Sequence, residues 1–280
     1  MSDDKQETRA RWGSAARAWE AHAEKLRQET MPVSSWMVDA LGPQPGDTLL
    51  ELAAGPGETG FLAAELIKPG GTLISSDLSP EMLSVAQRRA EELGLDNVRF
   101  KQIDAESSID VEAASIDGVL CRWGYMLMAD AETALRETRR VLKPRGRLVL
   151  AAWAGPEDNP WSAIPAREMV RRGLLEPLAP GEPGQFAWAD RAVIAEHLEA
   201  AGFVEYEIGD VGFESAYDSL EDYWKTQSEL SGRMQGALAG VDRHTIDDIR
   251  RAVGEAVAPH IGADGSVTLP ARTWVAVAEA

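Results

Sequence analysis

The amino-acid sequence predicts an α/β protein with a doubly wound, mostly parallel sheet of seven strands, N-terminal helices and a helical cap. Three observations predict this fold. Five short apolar stretches alternate with helical patterns between residues 48 and 153. A glycine-rich loop follows the first of them, and two further strand patterns appear among helical stretches in the second half. Strands alternating with helices form βαβ units, which assemble parallel sheets.

The chain divides into three predicted parts that together make one domain. Residues 1–44 are predicted to be N-terminal helices, because Trp12, Ala15 and Trp19 recur at helical spacing before the break "GPQPGD". Residues 45–153 form the alternating core. Residues 154–280 hold the remainder of the sheet together with the cap insertions.

The core predicts five strands with helices between them. Ser79 is a hydroxyl cap ahead of Pro80 at a first helical position, and Gly94 supplies the stop of that helix. The basic stretch "KPRGR" reads as a tight turn. Strands are predicted at 48–53, 72–77, 97–104, 116–121 and 148–153, and further helices at 57–68 and 130–142.

The regular alternation ends after Trp153. Pro- and Gly-rich segments there surround helical stretches, and we expect residues 154–187 and 218–257 to form the cap. Both segments interrupt the sheet on the side where parallel α/β folds bind ligands. The remaining predicted elements are a helix at 190–201 and strands at 204–210 and 273–280.

Composition excludes several classes of partner. The chain has 46 acidic and 28 basic residues, a net charge of −18, which disfavours nucleic acid and anionic membrane surfaces. The polar N-terminal stretch lacks an apolar signal core, and no apolar run is long enough to span a membrane. A single cysteine, Cys121, fits a reducing compartment, so we expect a cytoplasmic protein. No histidine or cysteine spacing typical of a metal site occurs.

The stretch "ELAAGPGETG" poses the central question about the bound ligand. Gly55, Gly57 and Gly60 fit the dinucleotide pattern G-x-G-x-x-G, and Asp77 stands 20 residues after Gly57. However, Glu51 occupies a strand position that is normally apolar in dinucleotide-binding proteins. A buried carboxylate needs a cation or hydrogen-bond donors, and a ligand with an ammonium group would supply the cation.

S-adenosylmethionine has such an ammonium group, together with a carboxylate and a sulfonium. Asp77, at the end of the second strand, can accept both ribose hydroxyls. Asp104, after the third strand, can accept from the adenine amino group, and the Ala105 N–H is free to donate to a ring nitrogen. Acids after three consecutive strands suit this ligand better than a dinucleotide, whose phosphates they would repel.

Five stretches occur in the order typical of one family: "LLELAAGPGETG", "SSDLSPEML", "QIDAE", "IDGVLCRWG" and "RVLKPRGRLVL". In these stretches, over residues 45–153, the chain resembles class I S-adenosylmethionine-dependent methyltransferases, above all the ubiquinone/menaquinone C-methyltransferase-like group. The resemblance implies the Rossmann-like methyltransferase fold and S-adenosylmethionine as cofactor. It also implies methyl transfer to a small molecule, with S-adenosylhomocysteine as the product.

The resemblance also implies which residues contact the cofactor. One departure is Ala53, which stands where the family often has glycine; an alanine fits there if its φ stays negative. The implied set comprises Glu51, Ala53, Gly55 and Gly57 at the methionine end, Asp77 with Leu78 at the ribose, Asp104 and Ala105 at the adenine, and Cys121 and Arg122 between cofactor and substrate.

Three tryptophans, Trp123, Trp153 and Trp161, fall at or beyond the ends of the fourth and fifth strands. Together with Met126 and Met128 they favour an apolar or aromatic substrate. The general base, if the reaction needs one, is left unassigned, with His22, Tyr223 and His244 as candidates.

Two alternatives to methyl transfer remain open from the sequence. One is a nicotinamide-dependent oxidoreductase, and the other is a non-catalytic binder of S-adenosylmethionine. The helices at 218–257 could also serve a homodimer interface.

Overall fold

A computed structural model describes residues 3–179 and 181–280, in which one seven-stranded sheet forms the centre. Its strands are β1 (Thr48–Glu51), β2 (Thr72–Asp77), β3 (Val98–Gln102), β4 (Ile116–Arg122), β5 (Leu142–Trp153), β6 (Glu205–Tyr217) and β7 (Val267–Glu279). Their order across the sheet is β3-β2-β1-β4-β5-β7-β6. β1 to β5 pair in parallel, and β7 runs antiparallel to both its neighbours. The predicted fold class is confirmed.

Helices precede, connect and cover the strands. They are α1 (Asp3–Ala21), α2 (Ala23–Leu41), α3 (Glu58–Leu66), α4 (Pro80–Glu92), α5 (Ala131–Val141), α6 (Pro160–Arg171), α7 (Arg191–Ala200), α8 (Leu220–Leu230), α9 (Gly232–Leu238) and α10 (Arg243–Val257). Across the described ranges, none of these helices combines the length and apolar character needed to cross a membrane.

The sheet carries helices on both faces because successive strand residues point to opposite sides. Leu49 packs with α2 and α3 residues in one apolar cluster, whereas Leu50 belongs to a second cluster that includes residues of α5 and α7. Both leucines are fully buried. This alternation in a short central strand is what a doubly wound sheet requires.

The predicted start of α4 is confirmed in detail. The Ser79 hydroxyl accepts the Met82 N–H at 3.2 Å, and Pro80 is the first helical residue. The cap satisfies one of the free N–H groups at the helix start, and the proline loses no intrahelical bond there. These local interactions fix where the chain turns after β2, directly beside Asp77.

The last two strands are longer than the sequence predicted. β5 ends at Trp153, opposite Thr273 of β7, but β6 and β7 continue to pair up to Tyr217 and Val267. This antiparallel strand pair therefore projects beyond the carboxyl ends of the parallel strands. Residues of α6, α8, α9 and α10 pack on it in an apolar cluster that includes Met169, Tyr223, Met234 and Ile249.

The "KPRGR" stretch is only in part the predicted tight turn. β5 begins at Leu142, which pairs with Ile116, and the ladder resumes where Gly118 pairs with Arg147. The residues between bulge out of the ladder, with φ of 67° at Arg145. The Lys143 ammonium binds Asp117 at 2.7 Å, which accounts for part of the local basic charge.

Candidate active site

The carboxyl ends of the parallel strands meet at one edge of the sheet. β1 lies between β2 and β4, and its register pairs Glu51 with Ser75 on one side and Leu120 on the other. Asp77 ends β2 and Arg122 ends β4. The order of the strands reverses at β1, so the switch point, where such sheets bind ligands, lies among these residues.

The loop after β1 turns through three left-handed residues. φ is 51° at Ala53, 53° at Gly55 and 90° at Gly57, which precedes the first residue of α3. A Cβ added to Gly55 would have no heavy atom of the described residues within 4 Å, so the backbone at Gly55 is open to a ligand. The condition under which alanine was expected to fit, a negative φ at Ala53, is not met, because the loop reverses at this residue and the Ala54 N–H donates to the Ser76 carbonyl at 2.9 Å.

The Glu51 carboxyl group is buried and is met by protein donors. Its Oε1 accepts the Gly60 N–H at 2.8 Å, and the Ser75 hydroxyl lies 3.5 Å from Oε2. Burial raises the pKa of Glu51 to about 7, against the opposing effects of the Gly60 N–H and the Arg122 charge. The need for donors is thus partly met within the protein, and contact with a ligand ammonium stays a prediction.

The Asp77 carboxylate is fixed by backbone donors on both oxygens. Oδ1 accepts the Ser79 N–H at 2.8 Å and Oδ2 accepts the Gly55 N–H at 2.9 Å. Burial raises the pKa of Asp77, and these N–H groups oppose that shift. A carboxylate has about four acceptor positions, so roughly two remain for hydroxyl donors. Leu78 follows directly and is half-buried.

Asp104 is covered by the N-terminal helix, which sequence reasoning did not foresee. The Lys5 ammonium of α1 binds Asp104 Oδ2 at 2.8 Å, and the Glu106 N–H donates to Oδ1 at 3.1 Å. Ala105 is buried beside it. The two partners of the ion pair are 99 residues apart, and no local pattern in the sequence marks Lys5.

The end of β4 combines a buried thiol, a guanidinium and a strained aromatic residue. The Cys121 side chain is fully buried, and burial raises the pKa of its thiol to about 12, as expected of a packing residue. Trp123 has a φ of 59°, an uncommon conformation for a bulky residue. A Cβ on Gly124 would lie 2.6 Å from the Cys121 Sγ and 2.8 Å from the Ala53 Cβ, so the β1 and β4 loops touch here.

The three predicted tryptophans do come together. The Trp123 and Trp153 rings stack with centroids 4.1 Å apart, and Trp161 meets Trp153 edge-on at 5.1 Å. The Trp123 Nε1–H donates to the Thr273 hydroxyl at 2.9 Å. Met126 lies buried under this group, with its Sδ 3.5 Å from the Trp153 backbone nitrogen. We call Trp123, Trp153 and Trp161 the indole wall.

Two of the three candidate bases do not fit that role. Tyr223 is fully buried, and its hydroxyl donates to the Trp161 carbonyl at 2.8 Å. The His244 side chain is 89% exposed on α10. His22 lies between α1 and α2, with its Nε2 2.8 Å from Glu229 of α8. No catalytic base is assigned from this geometry.

These residues fit a nucleoside that carries an amino-acid tail. Asp77 keeps free acceptor positions for a diol, and open backbone at Gly55 adjoins the amino terminus of α3. No basic side chain in the described residues pairs with Asp77. A phosphate placed at this carboxylate would therefore be repelled.

Comparisons with known proteins agree with this geometry. A family model described as a methyltransferase domain matches residues 43–170. The demethylmenaquinone methyltransferase of Thermus thermophilus is 33% identical over 171 residues, which cover 57% of this chain and 76% of that protein. The nocamycin O-methyltransferase of Saccharothrix syringae is 30% identical over 183 residues, covering 62% of this chain and 65% of that protein.

A solved structure shows the same fold. The YcgJ protein of Bacillus subtilis superposes with a TM-score of 0.60 at 19% identity, over 88% of this chain and 97% of that one. The protein is an α/β enzyme of the Rossmann-like class. The chain belongs to the class I S-adenosylmethionine-dependent methyltransferases, as its motifs predicted, which decides against the nicotinamide-dependent alternative.

Proposed function

We propose that this methyltransferase transfers the methyl group of S-adenosylmethionine to a small, apolar or aromatic molecule. The observation that carries the proposal is the indole wall, which begins at Trp123, one residue beyond β4, next to the loop of Ala53. Flat aromatic walls favour flat apolar ligands. Relatives named for demethylmenaquinone and nocamycin support a small-molecule acceptor.

We assign the cofactor contacts to the residues that the motifs indicated. The loop of Ala53, Gly55 and Gly57, with its open backbone at Gly55, would hold the methionine end near Glu51. Asp77 would hold the ribose, and Asp104 with Ala105 would hold the adenine. Support comes from the free acceptor positions of Asp77 and from the left-handed turn of the loop, which exposes Ala53 and leaves Gly55 half-buried. The Cys121 side chain faces the core, so only its backbone is available to line the cofactor.

The protein's part in the reaction is to position the reactants and exclude water. The bound cofactor supplies a methyl group on sulfonium, which is already activated for in-line displacement. The indole wall orients the acceptor, and Tyr223 of α8 holds Trp161 of α6 in the wall through a hydrogen bond to its carbonyl. Holding both reactants in line converts a bimolecular step into one of far lower entropic cost. An acceptor that ionises readily then needs no protein base.

The proposal is tested by ligands retained through purification and by turnover. Mass spectrometry of the purified protein should find S-adenosylmethionine or S-adenosylhomocysteine, and labelled S-adenosylmethionine should methylate members of a panel of phenols, quinols and amines. Trp161→Ala, at a partly exposed member of the wall, should alter turnover while keeping S-adenosylhomocysteine binding within about twofold. Binding without turnover of any panel member would favour a non-catalytic role instead.

We also infer a cytoplasmic protein without nucleic-acid or membrane partners. The supporting observations are the net charge of −18 and the single cysteine, whose thiol is buried. A homodimer through α8 to α10 stays a prediction that sedimentation can test.

A further inference from the structure

Arg122 is a charged side chain placed deep in the molecule. It ends β4 and reaches α2, where its Nη1 donates to the Thr30 hydroxyl. Its guanidinium carbon lies 4.6 Å from the centroid of the Trp123 ring. Burial lowers the pKa of Arg122, and the residue as a whole is half-buried rather than fully enclosed.

The protein supplies no direct counter-charge to this guanidinium. Within residues 3–179 and 181–280, no carboxylate lies within 4 Å of it, and the Thr30 hydroxyl is its one hydrogen-bond acceptor. The nearest acids are engaged elsewhere: Glu58 is paired with Arg89 at 2.6 Å, and Glu51 accepts the Gly60 N–H. They act on Arg122 only through space.

An unpaired guanidinium in such a place is costly unless something else pairs with it. Arg carries five N–H donors in a planar fork that matches the two oxygens of a carboxylate, and only one donor is used here. The Thr30 bond and the Trp123 ring hold the group in position without neutralising it. The remaining donors are therefore available to an anionic ligand.

We propose that Arg122 is an internal anion site that binds the carboxylate of a ligand at the active site. The inference rests on the proposed function and deepens it. The carboxylate has two possible sources, the amino-acid tail of the cofactor and an acidic group on the methyl acceptor. In the second case the acceptor is an aromatic acid, with its ring against the indole wall and its carboxylate on Arg122.

Two substitutions and two pairs of probes separate these sources. Arg122→Met removes the charge at similar length, and Arg122→Lys keeps the charge without the fork. Arg136→Met is the control, because Arg136 is an exposed partner of Glu132 on α5. Calorimetry compares S-adenosylhomocysteine with 5′-methylthioadenosine, which lacks the amino-acid tail. With enzyme saturated in S-adenosylhomocysteine, it then compares benzoate with benzamide.

If Arg122 binds the cofactor carboxylate, Arg122→Met should bind S-adenosylhomocysteine at least tenfold more weakly than wild type. Its affinity for methylthioadenosine should stay within twofold of wild type. If Arg122 instead binds a carboxylate of the acceptor, Arg122→Met should bind S-adenosylhomocysteine as tightly as wild type does. It should lose the preference for benzoate over benzamide. Arg122→Lys should fall between wild type and Arg122→Met, and a circular dichroism melt of each variant checks folding. If both pairs of probes bind Arg122→Met within twofold of wild type, the anion site is refuted. Failure of wild type to bind S-adenosylhomocysteine would instead refute the proposed function.

Discussion

Ala53 and Trp123, which follow β1 and β4, both have left-handed backbone conformations, and their loops are in contact. Their φ angles are 51° and 59°, and neither residue is glycine. Left-handed backbone costs a residue with a Cβ about 1–2 kcal/mol, and such costs concentrate at functional sites. The strain is consistent with a loop shaped for a ligand rather than for stability.

Ala53→Gly should therefore stabilise the protein. Glycine adopts this φ without steric cost, but it also gains freedom in the unfolded chain, so the net gain is expected to be about 0.5–1 kcal/mol. Urea unfolding measures it, with Ala54→Gly as the control at a buried neighbour outside the left-handed region. A loss of stability in Ala53→Gly would show that the Ala53 methyl contributes more than its backbone costs.

Glu51 gives the protein a pH dependence with a definite sign. Burial raises its pKa from 4.5 to about 7 in the folded state, so the folded protein holds this proton more tightly than the unfolded chain does. The stabilisation is full below pH 4.5 and is lost as pH rises through about 7. Above that range the folded protein contains a buried carboxylate.

Glu51→Gln should remove this dependence, since the amide oxygen can still accept the Gly60 N–H. Relative to wild type, the variant is expected to gain stability between pH 5 and pH 8, by at most about 3 kcal/mol. Urea unfolding at both pH values measures the difference. An equal difference at the two pH values would mean that Glu51 is ionised throughout.

At the scale of elements, the α6–α8 contact shapes the acceptor side of the site. Tyr223 of α8 donates to the Trp161 carbonyl, and Trp161 packs edge-on against Trp153. Tyr223 touches no predicted cofactor residue in these contacts. It is thus a positioning residue for the indole wall.

Tyr223→Phe should raise the KM for the acceptor several-fold, because the buried hydrogen bond that holds Trp161 is lost. S-adenosylhomocysteine affinity should stay within twofold, about 0.4 kcal/mol. Steady-state kinetics and calorimetry give the two values, and Tyr206→Phe on β6 is a control far from the wall. Equal losses in cofactor and acceptor binding would contradict this separation of the two sides.

The elements also show what the sequence could and could not reveal. Local signals such as Ser79 before Pro80 predicted α4 correctly, because a cap acts within one turn. The full length of β7 was not predicted, because a proline such as Pro270 usually interrupts a strand. Pro270 nevertheless pairs opposite Glu214, in a stretch of β7 that extends past the end of β5 and has a free edge, where proline is tolerated.

Long-range contacts at the site could not be predicted in the same way. Lys5 meets Asp104, and Thr30 meets Arg122, only after α1 and α2 pack against the folded core. The acids at the strand ends were predictable because the parallel topology alone brings them to one edge. The contact of α1 with Asp104 depends on tertiary packing, which spacing along the chain does not predict.

At the scale of the whole molecule, the strand-end acids and the helices that pack on the extended β6–β7 pair belong to different parts of the chain. Residues 45–153 hold the acids and the loop, whereas α6 and α8 to α10 pack on the projecting β6–β7 strand pair. α1 connects the two parts, since Lys5 binds Asp104 and the adjoining His22 binds Glu229. We expect bound ligands to stabilise the packing of these two parts against each other.

Limited proteolysis should show that stabilisation. S-adenosylhomocysteine together with an acceptor is expected to slow cleavage within 218–257 at any protein concentration, because the proposal places both ligands beneath the predicted cap. Cleavage sites are identified by mass spectrometry. Protection that follows protein concentration and not ligand would indicate that these helices form a dimer interface.

The central claim is that the acids at the strand ends hold S-adenosylmethionine, and Asp77 tests it most directly. Calorimetric titration with S-adenosylhomocysteine should show that Asp77→Ala weakens binding by about 1.5–3 kcal/mol, the range for hydrogen bonds to a charged group. Asp77→Asn should lose less, since it keeps an acceptor. Asp117→Asn, which alters a carboxylate bonded to the Thr48 N–H near the start of β1, should lose nothing. Folded Asp77→Ala that binds S-adenosylhomocysteine as tightly as wild type would contradict the account.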